Sequence, residues 1–182
     1  MGAIEAVGIR RATPEDGPAL DALIEASVRG LQTHDYTAAE IEGALGHAFG
    51  LDSQLIADGT YFVAETEEGV LVGSGGWSYR TTLCGGDHLP GREPARLDPA
   101  VDAAKIRAIF VHPAWARRGL GSLILAHCEL QAQQAGFRQM EMGSTLTGVP
   151  LYTLRGYREL DRIMIPLLNG EKLTVVRMKK SV

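Results

Sequence analysis

Residues Lys105–Ser122, with the sequence KIRAIFVHPAWARRGLGS, combine a strand, a break and the start of a helix. The nearly continuous apolar run from Ile106 to Val111 is typical of a buried strand. Pro113 ends the strand, because proline has no main-chain donor and disfavours helix in the residue before it. The segment Arg117–Ser122 then leads directly into an apolar helix. A turn of this kind between a strand and a helix is a common place for an anion to bind.

The turn has the chemistry expected of a diphosphate site. The start of a helix presents main-chain N–H groups without intrahelical partners, together with the positive end of the helix dipole. Glycines at 119 and 121 let a ligand approach the main chain closely, and arginines at 117 and 118 supply positive charge. The predicted ligand-binding residues of the turn are Arg117, Arg118, Gly119, Leu120, Gly121 and Ser122.

Two segments resemble the GCN5-related N-acetyltransferase (GNAT) family. The first, VHPAWARRGLGSLIL at Val111–Leu125, is similar to that family's acyl-coenzyme A signature, in which a strand, a pyrophosphate loop and a helix follow in order. The family's loop reads Gln or Arg, two variable residues, Gly, any residue, then Gly or Ala. Here Gly119-Leu120-Gly121 fills the end of the pattern, whereas Ala116 holds its leading position. The second segment is Ser144–Arg158.

The resemblance implies a fold and a reaction. The fold would be a single α/β domain over residues 1–182, a GNAT-like mixed, mostly antiparallel sheet flanked by helices and splayed at its central strands. The reaction would transfer an acetyl group from acetyl-CoA to a primary amine of a small molecule or protein, by direct attack in a ternary complex. Main-chain amides of Ile109, Phe110 and Val111, expected to bind the cofactor, would stabilise the developing oxyanion if the strand bulges there. Tyr152 stands where the family often has the general acid for the departing thiolate.

Other interpretations of the same residues stay open. A dinucleotide-binding turn needs a third glycine where this chain has Ile124, although Glu141 falls about where a ribose-binding acid would. A P-loop needs Gly-Lys-Ser/Thr, which the turn lacks. Tyr152 at helical spacing also suits a core aromatic. The second functional hypothesis is a catalytically silent acyl-CoA-binding sensor or partner module.

The general base is not assigned by the sequence. Many family members place a Glu on the central strand, where this chain has Lys105 and Arg107. The remaining candidates are Glu141, His34, Asp35 and His112. Each of these residue types is more often solvated or structural than catalytic, so none is favoured.

Composition and charge narrow the classes of protein. The chain has 182 residues, 45% of them apolar and 22% charged, as in soluble globular proteins. A net charge of −4 argues against a nucleic-acid partner and weakly suits a cationic acceptor. Two cysteines are too few for a disulfide framework or a metal site.

No apolar run is long enough for a membrane span, and no signal segment is visible, so a cytoplasmic location is expected. Monomer and homodimer are both open.

The rest of the chain predicts alternating strands and helices. Apolar patterns, capping residues and turns indicate, in order, a strand at 4–12, helices after Thr13 and Thr37, strands at 60–65 and 70–80, the central strand and its helix, a strand at 137–145, a short helix at 149–155 and a hairpin over 158–178.

One of these helices has a predicted buried face, and two other features, a group of glycines and a long loop, each have two explanations. The helix after the turn is expected to bury Leu120, Leu123, Ile124, His127 and Leu130 or Gln131. Glycines at 73, 75 and 76 indicate either a ligand close to a strand or tight packing beneath a helix. The loop 81–103 is either a lid over the acceptor or a surface insertion.

Overall fold

The computed structural model describes residues 7–90 and 95–182. Within these ranges the chain forms strands β1–β7 and α-helices α1–α5. In chain order they are β1 Val7–Arg11, α1 Gly17–Leu31, α2 Ala38–Ala44, α3 Ser53–Ala57, β2 Tyr61–Thr66, β3 Leu71–Ser78, β4 Ala104–Val111, α4 Leu120–Gln134, β5 Gln139–Thr145, α5 Val149–Leu154, β6 Arg158–Pro166 and β7 Lys172–Ser181.

The strands form a seven-stranded sheet in the order β1-β2-β3-β4-β5-β7-β6. Neighbouring strands are antiparallel except for β4 and β5, which are parallel and pair Ala104–Ile106 with Met140–Met142. The mixed, mostly antiparallel sheet predicted from the sequence is confirmed. It excludes the dinucleotide-binding alternative, because that fold needs a series of parallel strands.

The predicted helix starts lie at their capping residues. Asp16 accepts a hydrogen bond from the N–H of Thr13 at 2.8 Å, in a single 3-10 turn that precedes α1. The Thr37 hydroxyl accepts from the N–H of Glu40 at 3.1 Å, and the Glu40 carboxylate accepts from the N–H of Thr37 at 2.8 Å. Helix α3 was not predicted, because its five residues are too few to show a periodic pattern. Over the part of the chain that is described, no helix has the length and apolar content needed to cross a bilayer.

The buried face of α4 differs from the predicted one. Leu120 and Ile124 are buried as expected, but Leu123 and Leu130 are 43% and 49% exposed. Cys128 lies in the core instead. Because α4 is apolar around most of its circumference, periodicity alone does not select the face. The small side chain of Cys128 lets the side of α4 that carries it approach the sheet most closely.

The glycines of β3 provide the matching surface for α4. A Cβ added to Gly75 would lie 2.3 Å from Ile124 Cγ2, and one added to Gly73 would lie 2.6 Å from Ile124 Cδ1. Gly76 faces the other way, where a Cβ would meet the carbonyl oxygen of Thr60 at 2.9 Å. Of the two explanations, the structure supports close packing beneath a helix for Gly73 and Gly75, and close approach of the Thr60 main chain for Gly76.

We expect Gly75→Ala to lower the free energy of unfolding by about 1–3 kcal/mol, because the new methyl group overpacks the contact with Ile124. Gly8→Ala is the matched control, since a Cβ there meets nothing within 4 Å. Urea denaturation of both variants measures the difference. Equal stability of the two variants would contradict this account of the β3–α4 contact.

Candidate active site

The divergence of β4 and β5 opens a cleft at the centre of the sheet. Its walls come from β4 (Ile106–Phe110), β5 (Met142–Thr145), the segments 48–50 and 83–85, and Tyr152, together with residues of β6 and β7. The predicted site residues Ile109, Phe110 and Tyr152 therefore meet around one open space.

A bulge in β4 shapes the wall of this cleft. The register with β3 shifts between the pairs Gly76–Arg107 and Ser74–Phe110. Ala108 lies in the bulge with φ +54°, a conformation that L-residues adopt rarely and at some cost. The carbonyl oxygen of Ala108 accepts a hydrogen bond from the buried Ser74 hydroxyl at 3.0 Å. Bulges of this kind change the direction in which neighbouring main-chain groups point.

The three predicted main-chain donors of β4 have different surroundings. Ile109 and Phe110 line the cleft. The N–H of Val111 instead donates to the hydroxyl of Ser27 on α1, at 3.3 Å. Two of the three predicted residues are thus at the cleft, while the amide of the third has a protein partner.

The turn before α4 presents a series of unpaired main-chain donors. Among the hydrogen bonds of residues 7–90 and 95–182, none is donated by a main-chain N–H from Arg117 to Ser122. Arg117 and Gly119 have φ +62° and +87°, and Arg117, Arg118 and Gly119 are exposed. Exposed donors at the start of a fifteen-residue helix, beside two arginines, suit a ligand with several negative charges.

The turn also contacts the end of β4 and helix α5, the two elements that carry the other predicted site residues. A Cβ on Gly121 would lie 3.2 Å from Leu151 of α5 and 3.7 Å from Val111 at the end of β4. The Arg155 side chain, just after α5, donates to the Ser122 hydroxyl at 3.0 Å. The diphosphate-type turn, the end of β4 and the helix that carries Tyr152 are therefore in contact. A coenzyme A molecule would fit this arrangement of donors and cleft.

Tyr152 is buried at the cleft wall and 8% exposed. Its hydroxyl makes no hydrogen bond with any residue that the structure describes. Burial raises the pKa of the Tyr152 phenol, and the nearby Cys128 raises it further. A phenol with a raised pKa keeps its proton at neutral pH, so Tyr152 can act there as a hydrogen-bond or proton donor.

The candidate general bases lie away from the cleft walls. Glu141 forms an ion pair with Lys105 at 2.9 Å. Asp35 accepts from the Thr147 hydroxyl at 2.7 Å, and His112 Nδ1 accepts from the N–H of Ala114 at 3.1 Å. His34 is exposed, and it does not line the cleft either. The geometry therefore favours none of the four as a base.

Sequence reasoning missed a buried ion pair in the cleft wall. Arg107 donates to Asp52 at 2.7 Å, and the two side chains are 3% and 2% exposed. Its guanidinium also donates to the carbonyl oxygens of Thr82 and Gly85, at 3.2 and 2.5 Å. Arg107 thus fastens the loop after β3 to the central strand. Arg107, a charged residue inside an apolar strand, could have been recognised from the sequence as needing a buried partner. The sequence does not predict that this partner is Asp52, because Asp52 is distant along the chain.

The sheet, the cleft and the donor turn together point to an acetyltransferase. A family model described as "Acetyltransferase (GNAT) domain" matches residues 57–159, which is more than half of the chain. The chain belongs to the GNAT acetyltransferase family. The resemblance found in the sequence is therefore confirmed.

Solved structures show the same fold over nearly the whole chain. A GCN5-related N-acetyltransferase from Rhodopseudomonas palustris is 23% identical with a TM-score of 0.73, covering 100% of this chain and 99% of that one. The PaiA N-acetyltransferase from Thermoplasma acidophilum, in complex with coenzyme A, is 14% identical with a TM-score of 0.68, covering 97% and 99%. The ribosomal-protein-S18-alanine N-acetyltransferase from Escherichia coli is 16% identical with a TM-score of 0.60, covering 97% and 94%. Among curated proteins, no sequence matches this chain significantly.

We expect Arg107→Met to lower the free energy of unfolding by about 3 kcal/mol or more, because it removes the guanidinium that pairs with the buried Asp52 carboxylate. The double variant Asp52→Asn with Arg107→Met should recover part of that loss, since no uncompensated charge remains and Asn still caps α3. Guanidinium denaturation of the two variants and the wild type measures the coupling. Additive losses would contradict a direct pair.

Proposed function

We propose that this protein is an N-acetyltransferase that takes an acetyl group from acetyl-CoA and transfers it to a primary amine in a ternary complex. One observation carries the proposal: the main-chain N–H groups of residues 117–122, which donate no turn or loop hydrogen bond to the residues that the structure describes, lie beside a cleft that Tyr152 lines. The PaiA enzyme, which has the same fold, was solved in complex with coenzyme A. That structure supports coenzyme A as the group that carries the acetyl.

The donor would be held at two places. The N–H groups of 117–122, with the side chains of Arg117 and Arg118, would bind its diphosphate. The main chain at Ile109 and Phe110, beyond the bulge, would lie along the part of the donor that enters the cleft. Arg118 is kept in place by stacking over Trp115, with its guanidinium carbon 4.5 Å from the ring centroid.

The reaction requires three things at the cleft: deprotonation of the acceptor amine, stabilisation of an oxyanion and protonation of the leaving thiolate. The acceptor amine must first lose a proton, because an alkylammonium with a pKa near ~10.4 has no lone pair for attack. A C–N bond then forms at the thioester carbonyl, and main-chain donors at the bulge would stabilise the negative charge on its oxygen. When the C–S bond breaks, the thiolate takes a proton from the Tyr152 hydroxyl, and the proton that the attacking nitrogen gives up on becoming an amide restores the neutral phenol. Water is our candidate for carrying the first proton away.

A second candidate is an acyl-CoA-binding module without catalysis. The observation in its favour is that the four carboxylate and histidine candidates for a base lie outside the cleft walls. Free-thiol release from acetyl-CoA, measured against a panel of primary amines, separates the two functions. An enzyme releases thiol with at least one amine. A silent module binds acetyl-CoA in calorimetry and releases none.

We expect Arg117→Ala with Arg118→Ala to weaken acetyl-CoA binding at least about tenfold and to flatten its dependence on salt, because exposed charges act through a screened field. Calorimetry at two salt concentrations measures both effects. Arg138→Ala with Lys172→Ala is the control, since it removes the same charge from exposed positions elsewhere. If both double variants behave alike, the two arginines of the turn only contribute to net charge.

We expect Tyr152→Phe to lower the single-turnover rate with acetyl-CoA by about 10² to 10⁴, because it removes a proton donor and keeps the aromatic ring. Acetyl-CoA affinity and melting temperature should hardly change. The loss should shrink with an activated thioester, whose thiolate leaves without a proton. Burial raises the pKa of the Tyr152 phenol, so ionisation of Tyr152 should not lower the rate of the wild type at alkaline pH.

Tyr157→Phe is the matched control for that experiment. Tyr157 packs against Tyr152, with ring centroids 6.0 Å apart, and its hydroxyl donates to Glu129 at 2.8 Å. It does not line the cleft, so its loss should reduce stability and leave the rate unchanged. Equal rates for Tyr152→Phe and the wild type would assign Tyr152 to the core. An equal loss with both thioesters would indicate a positioning role.

A further inference from the structure

We propose that a groove between α4 and α5 binds the 3′-phosphate on the ribose of the donor, and so selects acetyl-CoA over donors that lack this phosphate. This inference rests on the proposed function and specifies its donor. We call this space the α4–α5 groove. Its lining comes from residues 122–129 of α4, from residues 154–156 at the end of α5, and from Lys180 of β7.

The α4–α5 groove lies next to the turn that is proposed to bind the diphosphate. Ser122, the last residue of that turn, also lines the groove, and Arg155 in the groove donates from Nε to the Ser122 hydroxyl at 3.0 Å. In coenzyme A the diphosphate and the third phosphate are attached to the same ribose, at its 5′ and 3′ carbons. A site for the third phosphate must therefore adjoin the site of the diphosphate, as this groove does.

Helix α5 contributes to the cleft and to the groove with different residues. Tyr152 lines the cleft, whereas Leu154 and the two residues after it line the groove. The turn meets α5 at Leu151, where a Cβ on Gly121 would lie 3.2 Å from the leucine side chain. A donor with its thioester at Tyr152 and its diphosphate at the turn has its nucleotide end outside the cleft. The groove adjoins the turn and shares no described lining residue with the cleft, so it can hold that end.

The described lining of the groove has a net positive charge. Its charged side chains are Glu129, Arg155 and Lys180. Lys180 donates to both carboxylate oxygens of Glu129, at 3.0 and 3.1 Å, so the charges of these two residues balance each other. The positive charge of Arg155 is left over. An anion placed in the groove is therefore attracted, although one carboxylate is present.

Arg155 is the group that would contact the phosphate. Its side chain is exposed, and the bond from its Nε to Ser122 orients the guanidinium. The two terminal nitrogens of Arg155 form no hydrogen bond or ion pair with any residue that the structure describes. A guanidinium matches two oxygens of one phosphate in a bidentate contact. Because Arg155 is oriented before the ligand binds, less conformational freedom is lost in forming that contact.

The experiment compares coenzyme A with 3′-dephospho-coenzyme A, which lacks only the third phosphate. Calorimetry measures the affinity of the wild-type protein for each of the two ligands. We expect coenzyme A to bind at least about tenfold tighter. This preference should shrink as the salt concentration rises, because Arg155 is exposed and its charge is screened.

Arg155→Ala should reduce the preference for coenzyme A to about twofold or less. Losing the bond to Ser122 could also displace the turn, but that would weaken both ligands, so the ratio of the two affinities isolates the third phosphate. Arg155→Lys keeps the charge without the bidentate geometry, and it should retain part of the preference. Arg158→Ala is the matched control, because it removes an exposed arginine nearby along the chain that does not line the groove. It should leave the preference unchanged.

Glu129→Gln tests the sign of the charge effect. This substitution removes the carboxylate of the groove and releases Lys180 from its ion pair. Coenzyme A should therefore bind more tightly, while the affinity for 3′-dephospho-coenzyme A should hardly change. The Gln side-chain oxygen can still accept from the Tyr157 hydroxyl, so the packing around Tyr157 should be kept.

The outcomes separate this inference from the proposed function. Equal affinities of the wild type for the two ligands, together with thiol release from acetyl-CoA, would overturn the phosphate site and leave the acetyltransferase in place. A preference that depends on Arg155, without thiol release for any amine, would support the groove and count against the transferase. A preference lost equally in Arg155→Ala and Arg158→Ala would show a general charge effect and overturn the assignment to the groove. Failure of both ligands to bind would overturn this inference together with the proposed donor.

Discussion

The separation of β4 from β5 is the constraint on which the rest of this structure depends. The two central strands pair in parallel over Ala104–Ile106, after which the bulge at Ala108 turns β4 away. Strand β5 meanwhile continues alongside β7 through to Thr145. The main chain of a sheet centre is thereby left open to a ligand, although strands there normally satisfy each other's hydrogen bonds. The cleft and the position of Tyr152 follow from this opening.

Opening a sheet at its centre has a cost, and several contacts offset it. The Ser74 hydroxyl satisfies the carbonyl of Ala108 at the bulge. On the other side of the gap the Tyr36 hydroxyl accepts from the N–H of Leu146 at 2.9 Å and donates to the carbonyl of Thr174 at 2.7 Å. These bonds fix the ends of the diverging strands. The opening is therefore a defined feature of the fold, maintained by buried polar groups on both sides.

Charged groups are arranged differently at the turn before α4 and in the lining of the cleft. The positive, exposed donors lie at the turn before α4, where a multiply charged ligand is proposed to bind. On the far side the single described cation of the cleft lining, Arg107, is directed at Asp52 in the interior. The turn thus presents exposed positive charge, whereas the described charge of the cleft lining is paired in the interior.

The sequence by itself determined the family, the order of the elements and the donor turn. These depend on neighbours along the chain: an apolar run, a proline and the turn Arg117-Arg118-Gly119-Leu120-Gly121, all within eighteen residues. Tertiary structure alone decided the buried face of α4, the partner of the Val111 amide and the Asp52–Arg107 pair. It also decided the lining of the cleft, which brings segments 48–50 and 83–85 to β4 and β5. Each of these joins segments that are distant along the chain, and local patterns carry no information about which distant surfaces will pack together.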